Sequence, residues 1–232
     1  MNKDEITNRK IHEYVSKNID LYDPYEQSYL VDLTIEYIRK HKRNMPDTFR
    51  QVLEEIGYYD DCIEKSGYQA FINLIENEIG IDKNIVEVGG GVIPTLAHKI
   101  SLKQNNGSIT IYDPRLTNYH RENEKFVLKK EKFYRNTDVS DADLIIGFMP
   151  CEATQAIIES ATDNNIDFMI ALCEGGPHGD EFDYFEDEEE WLHAMLYLAE
   201  RGVEDNDMGE LKVLSFEKYN SPYPLIYNKR KQ

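Results

Sequence analysis

Short apolar blocks alternate with stretches of helical spacing from residue 84 to residue 228. Ile85-Val86-Glu87-Val88 is an apolar run with one acid inside it. Three glycines follow, and Thr95 to Leu102 has the spacing of an amphipathic helix. Ile109-Thr110-Ile111-Tyr112 predicts a second strand, ended by Asp113, and Lys132-Phe133-Tyr134-Arg135 reads as a short third. Asp143 to Pro150 predicts a fourth strand, apolar throughout its centre as in a sheet covered on both faces, and Ile166 to Leu172 a fifth. Ala153 to Thr162 is spaced as a helix. So is Glu188 to Arg201, where Trp191, Leu192, Met195, Leu198 and Ala199 share a face. Leu211 to Phe216 and Pro224 to Asn228 close the chain as a hairpin-like pair of strands.

The first 80 residues are patterned differently. Leu30, Leu33, Tyr37 and Ile38 recur at helical intervals, as do Phe71, Leu74, Ile75 and Ile79, with Pro24, Pro46, Gly57 and Gly67 as punctuation. The expected organisation is an α-helical N-terminal segment of four or five helices over 1–80, followed by an α/β domain over 81–232.

The densest chemistry lies at the first strand turn. Gly89, Gly90 and Gly91 permit positive φ and let a ligand come close where a Cβ would collide. The following helix begins with unpaired N–H groups, which suit a polar or anionic ligand group. Asp113, an acceptor-only side chain at the tip of the next strand, suits the two hydroxyls of a ribose. The pattern departs from the dinucleotide fingerprint Gly-x-Gly-x-x-Gly, because Pro94 stands where the last glycine belongs. Glu87-Val88-Gly89-Gly90-Gly91 instead has the acid-x-Gly-x-Gly form.

On that motif and the order of elements, the chain from about Ile81 to Lys229 resembles the class I S-adenosylmethionine-dependent methyltransferases. The resemblance implies a Rossmann-like sheet of seven mostly parallel strands with helices on both faces, and S-adenosylmethionine as cofactor. It places Glu87, Gly89, Gly90 and Gly91 around the methionyl part and ribose, and Asp113 on the ribose hydroxyls. Asp138 and Val139 fall near the adenine amino group, and Gly147 falls at the end of the fourth strand beside the pocket. The loop Gly147-Phe148-Met149-Pro150-Cys151-Glu152 lacks the Asp/Asn-Pro-Pro-aromatic motif of amino-methylating members. N-methylation of a base or glutamine side chain is therefore disfavoured, while transfer to other acceptors survives.

Glu152, Glu174 and His178 fall in loops expected to overhang the acceptor, and Glu174 and His178 are the candidate acid–base residues. Cys151 and Cys173 follow neighbouring strands, so both thiols are placed to approach the pocket. With His178 they match no established zinc spacing, and no metal site is expected. Tyr14, Tyr22, Tyr25, Tyr29, Tyr37, Tyr58, Tyr59 and Tyr68 make the N-terminal segment rich in aromatics. In the family resembled, such helices cap the cofactor.

Charge narrows the acceptor. With 26 Lys and Arg against 44 Asp and Glu, the net charge is −18, and Asp180 to Glu190 is a dense acidic run. Such a surface repels phosphate backbones, so a small-molecule or protein substrate is expected rather than nucleic acid. The run itself reads as a solvated loop leading into an acid-rich helix start. Met1 to Lys17 has no signal-peptide pattern, no apolar run is long enough to span a membrane, and three cysteines give no disulfide framework, which together predict a cytoplasmic protein. Two other readings stay open: a methyltransferase-like binding module without catalysis, and a nicotinamide-dependent Rossmann oxidoreductase.

Overall fold

The computed structural model describes residues 10–15, 24–41, 52, 61–91, 94–116, 126–173, 184–215 and 224–230. The chain forms two compact units, Met1–Ile63 and Glu64–Gln232. In the first unit, residues 10–15 are helical and α1 spans Pro24–His41. From the stripe read in the sequence, Leu30 is buried in a cluster with Ile11, Val15, Val31 and Val52, and Leu33 and Ile38 pack against it. No helix among the described residues is long and apolar enough to cross a membrane.

The second unit is built on one sheet. Its elements are α2 (Asp61–Leu74, belonging to this unit from Glu64 on), a π-helical turn (Ile75–Ile79), β1 (Ile85–Val88), α3 (Thr95–Lys103), β2 (Ile109–Tyr112), β3 (Phe126–Lys129), β4 (Leu144–Phe148), α4 (Thr154–Asp163), β5 (Asp167–Ala171), α5 (Glu188–Asp205), β6 (Glu210–Ser215) and β7 (Pro224–Lys229). The strand order is β3-β2-β1-β4-β5-β7-β6. The β1 to β5 pairings are parallel, whereas β7 runs antiparallel to both β5 and β6. This is the seven-stranded, mostly parallel Rossmann-like sheet of methyltransferase type that the element order led us to expect.

Strand alternation gives two cores. Ile85, Ile109, Ile111, Leu144 and Ile146 meet Phe71, Ile75, Leu96 and Ile100 of α2, its π turn and α3 on one face. Val86, Val88, Ile145, Phe168 and Ile170 meet Ile157, Ala161, Trp191, Met195 and Ala199 of α4 and α5 on the other. The acid-rich start of α5 behaves as its composition predicts. Asp187 caps the helix by accepting from the Glu190 N–H at 2.9 Å, Glu190 accepts from the Glu186 N–H at 2.7 Å, and Glu188 to Glu190 occupy the first turn, where carboxylates complement the helix dipole.

The third strand is a correction. It is Phe126–Lys129, in register with β2 from Ile109↔Phe126 to Tyr112↔Lys129, and Lys132-Phe133-Tyr134-Arg135 is not a strand. The latter segment folds into a turn, with the Tyr134 N–H donating to Thr137 Oγ1 at 2.9 Å and the Phe133 ring edge-on to Tyr112 at 5.4 Å between centroids. Phe133 is thereby buried across the end of the sheet instead of within it.

Candidate functional site

The strand order reverses between β1 and β4, so their crossovers leave in opposite directions and open a crevice at their carboxyl ends. The chain after β1 enters that crevice through Gly89, whose φ is +80°. Its N–H donates to the Tyr112 carbonyl at 2.9 Å, and a Cβ there would stand 3.1 Å from Pro150 Cα. A side chain at 89 would therefore both strain the turn and strike the β4 loop.

Asp113 closes the second strand, only 2 % exposed. Its Oδ1 accepts from the Arg115 backbone N–H at 2.7 Å and from Arg115 Nε at 3.1 Å, and its Oδ2 from Arg115 Nη2 and the Gly91 N–H, both at 2.9 Å. Burial alone would favour the neutral acid. The Arg115 guanidinium and the two amides outweigh it and hold the carboxyl below its ordinary range. The Arg115 side chain is itself 66 % exposed, so the partner on this carboxylate approaches from the solvent side.

Between these elements lies a cavity of about 600 Å³, walled by Gly89, Asp113, Arg115, Phe133, Tyr134 and Cys151 among others. That volume is in the range of small-ligand sites. Lys132 and Glu152 form an exposed ion pair of 3.5 Å on its lining. The β4 loop makes the remaining wall. Phe148 is fixed edge-on between Tyr68 (4.7 Å) and Phe71 (5.4 Å), after which Met149 and Cys151 each take φ of +50° around Pro150. Cys151 Sγ stands 4.0 Å from Cys173 Sγ.

Of the residues singled out in the sequence, Gly89 and Asp113 stand together on this wall, and Gly91 (φ +75°) is joined to them by its N–H. Gly90 is buried behind the turn, where a Cβ would meet Ile111 Cγ2 at 2.6 Å. Gly147 is likewise enclosed, by Ile157 Cδ1 at 2.8 Å and Pro150 Cγ at 2.9 Å, so packing requires its lack of a side chain. Glu87 is 3 % exposed and lies outside the cavity lining. Burial raises its pKa to about 8, the Ala97 N–H hydrogen bond opposes this, and the Asp113 charge adds to it. Its Oε2 has no hydrogen-bond partner among the described residues. Asp138 and Val139 line a separate cleft of about 250 Å³ with Asn84, Ser108 and Thr110, and Asp138 accepts from the Ser140 N–H at 3.1 Å. Glu174 and His178 lie outside the described residues. Sequence reasoning missed Arg115, and it read Phe133 and Tyr134 as strand instead of wall. The Asp-Pro-Arg spacing was the one available signal for Arg115.

No protein-family model matches the sequence, and neither does any curated protein. Solved structures are similar over much of the chain, each at a TM-score below 0.5. An O-methyltransferase family protein from Burkholderia thailandensis is 12% identical, covering 98% of this chain and 69% of that one with a TM-score of 0.48. Fibrillarin from Aeropyrum pernix, solved with natively bound S-adenosyl-L-methionine, is 15% identical over 69% of this chain and 73% of its own, TM-score 0.46. Precorrin-6y C5,15-methyltransferase from Geobacter metallireducens is 14% identical over 71% and 87%, TM-score 0.46.

Proposed function

We propose that this chain binds S-adenosylmethionine in the cavity at the ends of β1, β2 and β4 and transfers its methyl group to a small-molecule or protein acceptor. The observation that carries the reading is the juxtaposition of the left-handed Gly89 turn with the buried Asp113 carboxylate on the wall of one cavity of about 600 Å³. The residues fit such a ligand. Asp113 is an acceptor-only group for ribose hydroxyls, the side-chain-free turn admits close approach, and Phe133 and Tyr134 offer aromatic surface to a base. Fit has one condition: Arg115 already donates twice through its guanidinium to Asp113, and that contact must open for a diol to take its place.

When bound, the cofactor supplies a methyl group activated on a sulfonium. The chain's part is positioning and exclusion of water, with Asp113 and the glycine turn fixing one end of the ligand. Glu174 and His178, which follow β5 in sequence, are the acid–base candidates for an acceptor that must lose a proton. The net charge of −18 supports an acceptor other than nucleic acid, and the cations at the cavity, Arg115 and Lys132, are each paired with a carboxylate.

The engaged Asp113 also favours a second reading, a binding module without catalysis. Titration calorimetry with S-adenosylmethionine and S-adenosylhomocysteine separates the two, since absence of heat and an unchanged melting temperature with both ligands would favour the module. If binding is seen, Asp113→Ala is expected to weaken it by roughly 1–3 kcal/mol, the cost of leaving ribose hydroxyls unpaired. Arg115→Ala should tighten it, because no ion pair then has to open. Equal affinities in all three proteins would remove Asp113 from the site.

A further inference from the structure

We propose that Cys151 and Cys173 form a reversible thiol–disulfide modification site on the wall of the cavity. Three observations converge. The two sulfurs, 22 residues apart in sequence, lie 4.0 Å apart across the ends of the paired strands β4 and β5. Both residues are partly exposed, so a small reagent can reach them. The Cys151 thiol has two acceptors in reach of its one proton, the Met149 carbonyl at 3.3 Å and Cys173 Sγ at 4.0 Å. Either cysteine can supply the attacking thiolate, and the other then resolves the mixed disulfide. The Cys151 thiol is pushed up first by its hydrogen bond with Cys173 and then by burial, while the Arg115 guanidinium acts in the opposite sense.

The reaction balances with a low-molecular-weight disulfide as oxidant. One of the two cysteine thiolates attacks one sulfur of the reagent, forming a mixed disulfide and expelling one thiolate. The other cysteine then attacks the first one's Sγ, the new S–S bond forms as the mixed disulfide breaks, and a second thiolate leaves. The two cysteines lose two electrons, the reagent is reduced to two thiols, and the two cysteine protons pass to the expelled thiolates through solvent. Because Cys151 opens the short 3₁₀ turn Cys151–Ala153 on the cavity wall, the bond ties the ends of β4 and β5 together at that wall. The site stands whatever ligand the cavity takes.

The test uses the full chain equilibrated with glutathione and glutathione disulfide at increasing oxidising ratio, quenched with acid, alkylated and mapped by mass spectrometry without reduction. The expected product is a peptide pair joined through Cys151 and Cys173 with no retained glutathione, fully reversed by dithiothreitol. Cys62→Ser is expected to leave it intact. Cys151→Ser and Cys173→Ser should each stop at a mixed disulfide on the other cysteine of the pair. The same titration in urea is expected to need a more oxidising ratio, because the unfolded chain no longer holds the sulfurs together. The proposal is overturned if both cysteines stay alkylatable, if glutathione is retained on them in the unsubstituted chain, if Cys62 supplies the partner, or if folded and unfolded chains oxidise at the same ratio.

Discussion

Folded stability is expected to fall as pH rises from about 4.5 to about 8, and Glu87→Gln is expected to abolish that fall. In the folded chain burial holds the Glu87 proton up to about 8, whereas the unfolded chain releases it near 4.5. Between those values the native state binds more protons than the unfolded one, so each pH unit lowers the unfolding free energy by up to about 1.4 kcal/mol. The stabilisation is complete below the unfolded pKa and lost by the time pH has passed the folded one. Over the whole window the loss approaches about 5 kcal/mol, an upper bound because buried groups gain water or partners when they ionise. Glutamine has nearly the same shape and no charge to acquire. Its extra N–H donors add a cost that does not vary with pH, so the slope and not the intercept is the readout. Urea midpoints for both proteins, taken at intervals across the window, give a difference curve from which other titrating groups cancel. Parallel curves would mean that Glu87 is charged in the folded state.

Trp191→Ala is expected to cost about 3–5 kcal/mol, the range for removing a large aromatic side chain from a packed interior. Trp191 is the only tryptophan in the chain and is fully buried on α5 among the residues packed on the β5 face. Met195 and Ala199 flank it one and two turns along the helix, and none of these side chains is long enough to fill the space of an indole. Since the substitution removes the only indole fluorophore, unfolding should be followed by far-ultraviolet circular dichroism in urea. A lower midpoint with an unchanged slope is the expected pattern. Trp191→Phe should recover part of the loss. A cost under about 1 kcal/mol for the alanine variant would show that α5 does not depend on this contact.

Both residues illustrate what patterning alone conveys. Trp191 declared itself through helical spacing with Met195 and Ala199, and β4 and β5 through apolar blocks too long and too continuous for loops. The third strand did not. Phe126-Val127-Leu128-Lys129 and Lys132-Phe133-Tyr134-Arg135 are similar short, lysine-flanked runs, and only pairing with Ile109 to Tyr112 decides between them. The candidate site was legible in its backbone and not in its side chains. Gly89 and Asp113 follow from a turn and a strand end. Arg115 folds onto Asp113 because the turn Asp113 to Leu116, closed by the Leu116 N–H on the Asp113 carbonyl at 3.2 Å, brings its guanidinium back two residues. Gly147 is small because Ile157 and Pro150 crowd it, a fact of tertiary packing with no local signature.

The backbone on either side of Pro150 has a wider consequence. Met149 and Cys151 both sit at φ of +50°, where any residue bearing a Cβ is uncomfortable and glycine would be at ease, at a cost on the order of 1–3 kcal/mol each. Such a segment is a loaded catch, held in place by Phe148 on one side and the start of α4 on the other. That strain lies on the same stretch of wall that carries the Cys151 sulfur.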